Sequence, residues 1–284
     1  MKLGLIPMGT PILTEITPEK LAHWRAMGVS CIGGRLPDDL DSITADDCRR
    51  IASMAADNGL VFAHNWLFEA PLYHPDPDRR ARDHDRLRRA LALMRALDCP
   101  ILIIGGGSCS PAGAFSPHAL NQTEKAADEL IKAARQIVPA AEDAGVYFGV
   151  EPLTMTILRG PQRMRRVIDE VGSKYLGVNI DPVNWMTFDT IFYMTDAVNE
   201  MFDLLGDSIV SAHAKDGKIE PRVLIHLSEC LCGTGLMDWR TFLRRFAQLA
   251  PERSLLLEHT PDDDVPAAFG HLRDCAAAEG LAFD

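Results

Sequence analysis

The stretch SIVSAHAKDGK, residues 208–218, runs from apolar residues into His213, Lys215 and Asp216, with only small residues beside them. Three other apolar runs stop in the same manner: GVEPL at Glu151, VNIDPVNW at Asp181 and LLLEHT at Glu258. Taken singly, each such residue is ordinarily a helix cap, a solvated turn residue or a satisfied core histidine. Four in succession call for another account, because three carboxylates gathered at one place repel unless a cation or shared protons offset them. Three carboxylate oxygens and one imidazole nitrogen make a ligand set for one divalent ion. Its oxygen content favours Mn²⁺, with Mg²⁺, Co²⁺ or Zn²⁺ as alternatives.

Such convergence requires elements that bring distant residues together. Eight short apolar runs recur along the chain: LGLI (3–6), VSCIGG (29–34), LVFAH (60–64), ILIIGG (101–106), VYFGVE (146–151), LGVNID (176–181), IVSAH (209–213) and LLLEH (255–259). Amphipathic segments separate them. TPEKLAHWRAMG opens with a Thr17 cap and Pro18 in the first turn, and TADDCRRIASMAADNG runs from Thr44 to Gly59. TEKAADELIKAARQIVPAAEDAG and DWRTFLRRFAQLA place apolar residues at helical spacing. This alternation predicts a single (β/α)8 TIM barrel over residues 1–284, in which strand ends meet at the C-terminal mouth. A doubly wound open sheet would carry its glycine fingerprint after the first strand, and LIPMGTPIL has none. GGGS at 105–108 reads as a tight turn. The longer connections after the third, fourth and seventh runs are the candidate rims of a site.

Composition narrows the function. The chain has 284 residues, 47% of them hydrophobic and 24% charged, with room for a sizeable core. Asp plus Glu total 40 against 29 Lys plus Arg, a formal charge of -11, which argues against a nucleic-acid partner. DRRARDHDRLRR mixes both signs and reads as a solvated helix face. Seven cysteines without a CxxC pair point to a reduced, cytoplasmic chain. No run is long and apolar enough to predict a membrane span, and MKLGLIPMG does not read as a signal peptide.

The series VEPLT, IDPVNW, HAKDG, CGTGLMDW and LEH resembles the xylose isomerase-like sugar-phosphate isomerase/epimerase superfamily. The resemblance implies a TIM barrel with a Glu-Asp-His-Glu divalent site, here Glu151, Asp181, His213 and Glu258. In its ketose 3-epimerases the two glutamates also form the acid/base pair, which implies Glu151 and Glu258. Chemistry agrees: a metal on the carbonyl stabilises an enediolate, and carboxylates on either face move the proton. The chain departs from the pattern after the sixth run, where Asn184 stands in place of a histidine that many such epimerases carry. Asn184 can bond a substrate but cannot transfer a proton. Phosphate on the substrate is unsupported, since no mouth loop carries a basic cluster.

Further substrate contacts are expected from Lys215, with Asp216 beside it, and from Arg35, His64 and Trp66 in the first half. For these the bland readings are a solvent-facing Lys215 satisfied by Asp216, a core hydrogen bond for His64 and packing for Trp66. His259 is left structural, because strand alternation turns it away from Glu258. Gly233 and Gly235 should shape the turn into the next helix, with Asp238 its cap, and Cys230 and Cys232 should pack a loop. The leading expectation is a metal-dependent isomerase or epimerase of a small polyhydroxy carbonyl compound, a carbohydrate or polyol. A dehydratase or lyase on a keto-polyol or 3-keto-glycoside would use the same site. An AP endonuclease-like hydrolase would need more His and Glu ligands than the third, fourth and sixth runs supply. A non-catalytic barrel is a further alternative, and relatives of the family are often dimers or tetramers.

Overall fold

The computed structural model describes residues 1–249 and 253–283. Its first seven strands are β1 (Lys2–Leu5), β2 (Cys31–Arg35), β3 (Val61–Trp66), β4 (Ile101–Gly105), β5 (Tyr147–Glu151), β6 (Leu176–Ile180) and β7 (Ile209–Ala214). A hairpin of β8 (Asp216–Glu220) and β9 (His226–Cys230) follows, and β10 (Ser254–Leu257) completes the ring. The ring strands pair in parallel in the order β1-β10-β7-β6-β5-β4-β3-β2 and close on themselves. This is the (β/α)8 barrel that the sequence predicts.

Among the described residues eight α-helices surround it: α1 (Pro18–Ala26), α2 (Ala45–Asp57), α3 (Pro77–Ala96), α4 (Glu124–Ala144), α5 (Pro161–Val171), α6 (Met194–Leu205), α7 (Trp239–Phe246) and α8 (Val265–Ala278). Their starts follow the sequence signals. The Thr17 hydroxyl accepts from Lys20 N ahead of Pro18, and Thr44 with Asp47 forms a capping box. Asp238 caps α7 by accepting from Thr241 N at 3.0 Å. None of the described helices is long and apolar enough to cross a membrane.

Large and small side chains fit together inside the barrel. Trp66, Ile101, Ile103 and Val210 form one buried cluster. Gly149 and Gly177 leave them room: a Cβ would come within 2.7 Å of Ile103 Cδ1 at the first and 2.3 Å of Val210 Cγ1 at the second. A cavity of about 280 Å³ opens beneath this layer, at the N-terminal end, and shares no residue with the four strand-end ligand candidates.

Two irregularities set which side chains face inward. Ile32 pairs with Phe62 and Gly33 with His64, so Ala63 is an extra residue on β3. Val178 pairs with Ile209 and Asn179 with Ser211, so Val210 is extra on β7. Each is a β-bulge, which shifts the alternation of the residues that follow it. His64 lies just past the first, and Ser211 and His213 just past the second.

The connection after β7 is more ordered than the sequence suggests. It folds back as the β8–β9 hairpin, in which Ile219 pairs with Leu227 and Glu220 with His226. No Asn-Gly or Asp-Gly dipeptide marks its turn, which is why periodicity alone passes over it. At Gly107, φ is +112° and a Cβ would meet Tyr73 O at 2.2 Å, so GGGS is the tight turn expected.

Candidate metal centre

Glu151 is the last residue of β5, Asp181 follows β6, His213 is the penultimate residue of β7 and Glu258 follows β10. All four are buried, and one donor atom from each lies within 4.8 Å of every other. His213 Nδ1 is 3.2 Å from Glu151 Oε1 and 3.4 Å from Glu258 Oε2. Asp181 divides its carboxylate: Oδ1 accepts from Val183 N and Asn184 N, capping a short 3-10 turn, while Oδ2 faces the centre. Lys215 Nζ stands 2.9 Å from both Asp181 Oδ2 and Glu258 Oε2.

Burial and charge oppose each other here. Burial raises the Glu151 carboxyl above its usual range, against the hydrogen bond from His213. Burial likewise raises Asp181, against the Lys215 ammonium. For Glu258 the balance reverses: burial acts against its charge, but His213 and then Lys215 hold it well below the ordinary value. Burial works against a proton on His213 too, yet Glu258 and Glu151 push that imidazole up to about 10. Lys215 is held charged chiefly by Asp181 and Glu258, in spite of its burial. Three carboxylates therefore share one ammonium and one imidazole, and the surplus of negative charge is what a cation would offset.

The donor set fits such an ion. Bonds of about 2.1 Å put opposite ligands at ~4.2 Å, close to the spacing seen, and three oxygens with one nitrogen suit a hard or borderline divalent ion. Asp181 Oδ2 faces inward because its partner oxygen is occupied by the cap. The residues present can hold one divalent cation.

The remaining sequence candidates divide. Asn184 Nδ2 donates to Glu151 Oε1 at 3.2 Å, beside the centre. Lys215 joins the cluster and does not pair with Asp216. Asp216 does not face a substrate position: its carboxylate accepts from Gly217 N, Met237 N and Gly233 N, which ties the hairpin to the turn before α7. Gly233, at φ +91°, shapes that turn, and a Cβ on Gly235 would strike Asp216, as its spacing suggests. His64 lies under His213, with its ring nitrogens taken by His213 Nε2 at 3.4 Å and Ser211 Oγ at 2.9 Å. Trp66 stacks on Phe68 within the barrel, its ring 5.6 Å from that of His213. Arg35 pairs with Asp38 at 3.4 Å, and among the described residues no hydrogen bond or ion pair joins it to the four.

Several participants escape the sequence. Glu229, on β9, lies 4.0 Å from Lys215 Nζ and accepts from His259 Nδ1 at 2.9 Å. His259 is half exposed, with φ +51°, and its Nε2 lies 3.9 Å from Glu258 Oε1. Asn179 and Ser211 are buried polar residues, each two positions before a ligand candidate (Asp181 and His213), a signal visible only once the bulges fix their phase.

A closed parallel barrel with a buried carboxylate–imidazole centre at its C-terminal mouth defines a class of metal-site barrels. The chain belongs to the xylose isomerase-like TIM barrel family, which it matches over residues 21–275. No curated protein matches it significantly. Among solved structures it is similar to D-psicose 3-epimerase with D-tagatose from Clostridium cellulolyticum H10, at TM-score 0.72 and 15% identity, covering 97% of this chain and 99% of that one. The 3-keto-D-glucoside 4-epimerase from E. coli is similar at TM-score 0.71 and 15% identity, over 97% and 100% of the two chains. A xylose isomerase-like TIM barrel protein from Mycobacterium smegmatis in complex with magnesium gives TM-score 0.71 and 15% identity, over 97% and 94%.

Proposed function

We propose that this protein is a divalent-metal-dependent isomerase or epimerase of a small polyhydroxy carbonyl compound such as a ketose, keto-sugar or cyclitol. The observation that carries it is the pair Glu151 and Glu258, on strands separated by β6 and β7 in the ring, both turned to the same imidazole nitrogen. A divalent ion held by Glu151, Asp181, His213 and Glu258, Mn²⁺ or Mg²⁺ being the first to try, supplies Lewis-acid polarisation of the substrate carbonyl. Each glutamate has one oxygen engaged in the centre: Glu151 Oε1 by Asn184 and His213, Glu258 Oε2 by Lys215 and His213. Glu258 removes the proton from the carbon beside the carbonyl through Oε1, which has His259 Nε2 at 3.9 Å. Glu151, raised by burial, returns a proton from its other oxygen. Lys215 and Asn184 orient substrate hydroxyls, with Arg35 at the end of β2 as an outer contact. Trp66 and His64 form the floor.

The test is reaction in deuterated water with a panel of keto-sugars and Mn²⁺. Epimerisation places solvent deuterium on the reacting carbon, and Glu258→Gln lowers the rate by ~10²–10⁴. Full activity of that variant would refute the mechanism. The same proton removal followed by loss of water or an aglycone would identify the dehydratase or lyase reading. An AP endonuclease-like activity would require DNA binding that the charge of -11 does not favour.

A further inference from the structure

His213 presents different nitrogens to its two sides. Nδ1 faces Glu151 and Glu258, while Nε2 faces His64 Nε2 at 3.4 Å. His64 Nδ1 in turn lies 2.9 Å from Ser211 Oγ. A neutral imidazole carries one proton, so each link in this buried row fixes the next. If Nδ1 of His213 offers its lone pair to a cation, its proton is on Nε2 and is donated to His64 Nε2. His64 must then carry its own proton on Nδ1 and donate it to Ser211 Oγ. If instead a neutral His213 carries its one proton on Nδ1, His64 must donate from Nε2 and accept at Nδ1, and every link reverses.

Asn179 does not disturb this. Its amide nitrogen is 3.1 Å from both ring nitrogens of His213, and an atom equidistant from the two lies along neither lone pair. All four polar residues are fully buried, with the Trp66 ring against His213. The β-bulges at Ala63 and Val210 give His64, Ser211 and His213 their common inward phase.

We infer that His64 and Ser211 are positioning residues that hold His213 in the tautomer with a bare Nδ1 and a protonated Nε2, through the directed chain His213 Nε2–H to His64 Nε2, and His64 Nδ1–H to Ser211 Oγ. The inference rests on the metal-site reading above. It explains why two polar residues, His64 and Ser211, are fully buried beneath the centre. Partners of this kind orient a ligating ring and raise its basicity, and their loss typically weakens metal binding ~10–100-fold.

The experiment uses the whole chain with Mg²⁺ or Mn²⁺ alone. Wild-type protein must first bind about one divalent ion; if it binds none, the metal reading fails and this inference with it. With ¹⁵N-labelled histidine and saturating Mg²⁺, long-range ¹H–¹⁵N spectra should show His213 protonated on Nε2 and His64 on Nδ1. The reverse pair in a protein that binds metal overturns the inference and leaves the metal reading standing. In calorimetric titration with Mn²⁺, His64→Leu should lose ~10–100-fold in affinity, His64→Gln should recover much of it by accepting with Oε1, and Ser211→Ala should fall between. Unchanged affinity in a folded His64→Leu would overturn it equally. Should that variant not fold, the wild-type spectrum decides alone.

Discussion

Lys215 Nζ lies 2.9 Å from Glu258 Oε2, with both side chains under a tenth exposed. The same ammonium reaches Asp181 Oδ2, so one lysine ties together the ends of β6, β7 and β10. Replacing it with methionine keeps the bulk and removes the ammonium from the cluster. Lys215→Met should destabilise chelator-treated protein by about 3 kcal/mol or more, the usual cost of breaking a buried ion pair. Added Mn²⁺ should restore more of the melting temperature in the variant than in wild type, because its site is more negative. Thermal unfolding with and without Mn²⁺ checks this, and an equal metal-induced shift in both proteins would contradict it.

The four strand-end residues should act as one ligand set. Elemental mass spectrometry is expected to find about one divalent ion per wild-type chain and far less in Glu151→Gln and His213→Ala, which remove one donor each. About three zinc ions per chain would point instead to a hydrolase-like cluster. An undiminished content in both variants would show that the ion sits elsewhere.

Legibility in the sequence followed periodicity. Each ring strand is an apolar run buried on both faces, and each ligand candidate sits at or beside the end of one, so barrel and cluster both follow from short-range pattern. Lys215 and Asp216 are adjacent and equally polar, yet one enters the cluster and the other binds three backbone amides. Pattern does not separate them, because the hairpin that turns Asp216 away has no recognisable turn dipeptide. The bulges at Ala63 and Val210 were equally hidden. They add one residue without altering apolar character, and they decide that Ser211 faces His64.

Asp216 gives a test of that division of labour. Asp216→Ala strips three amides of a buried acceptor and should destabilise the fold by about 2–4 kcal/mol. Metal content should be retained in the surviving folded protein. Measured by chemical unfolding and elemental analysis, simultaneous loss of metal would place Asp216 in the ligand set after all.

A pH effect is expected away from the centre. His84 on α3 is buried, and its Nε2 donates to Leu72 O at 2.9 Å, fastening the connection that carries Tyr73 against Gly107. Burial lowers its pKa below 6.5, opposed by that hydrogen bond. The unfolded chain therefore takes up this proton more readily than the folded one. The contribution of His84 is present above about pH 6.5 and is lost as pH falls towards the folded value, by up to ~1.4 kcal/mol per unit. Unfolding of wild type and His84→Gln between pH 5 and 8 should show the gap narrowing on the acid side. A pH-independent gap would refute it.

Trp66 packs against His213 and clusters with Ile101, Ile103 and Val210, and Ile101 and Val210 also line the cavity on the far side. The barrel is thus a well and not a tunnel. Whatever comes to rest on the buried ligands must pass the mouth first, and a sugar lying above them closes the way behind it. Under the proposed function loading would have an order, the ion arriving before the organic molecule and departing after it, so a saturating polyol should slow the escape of the ion to a chelator without any change in the four side chains themselves.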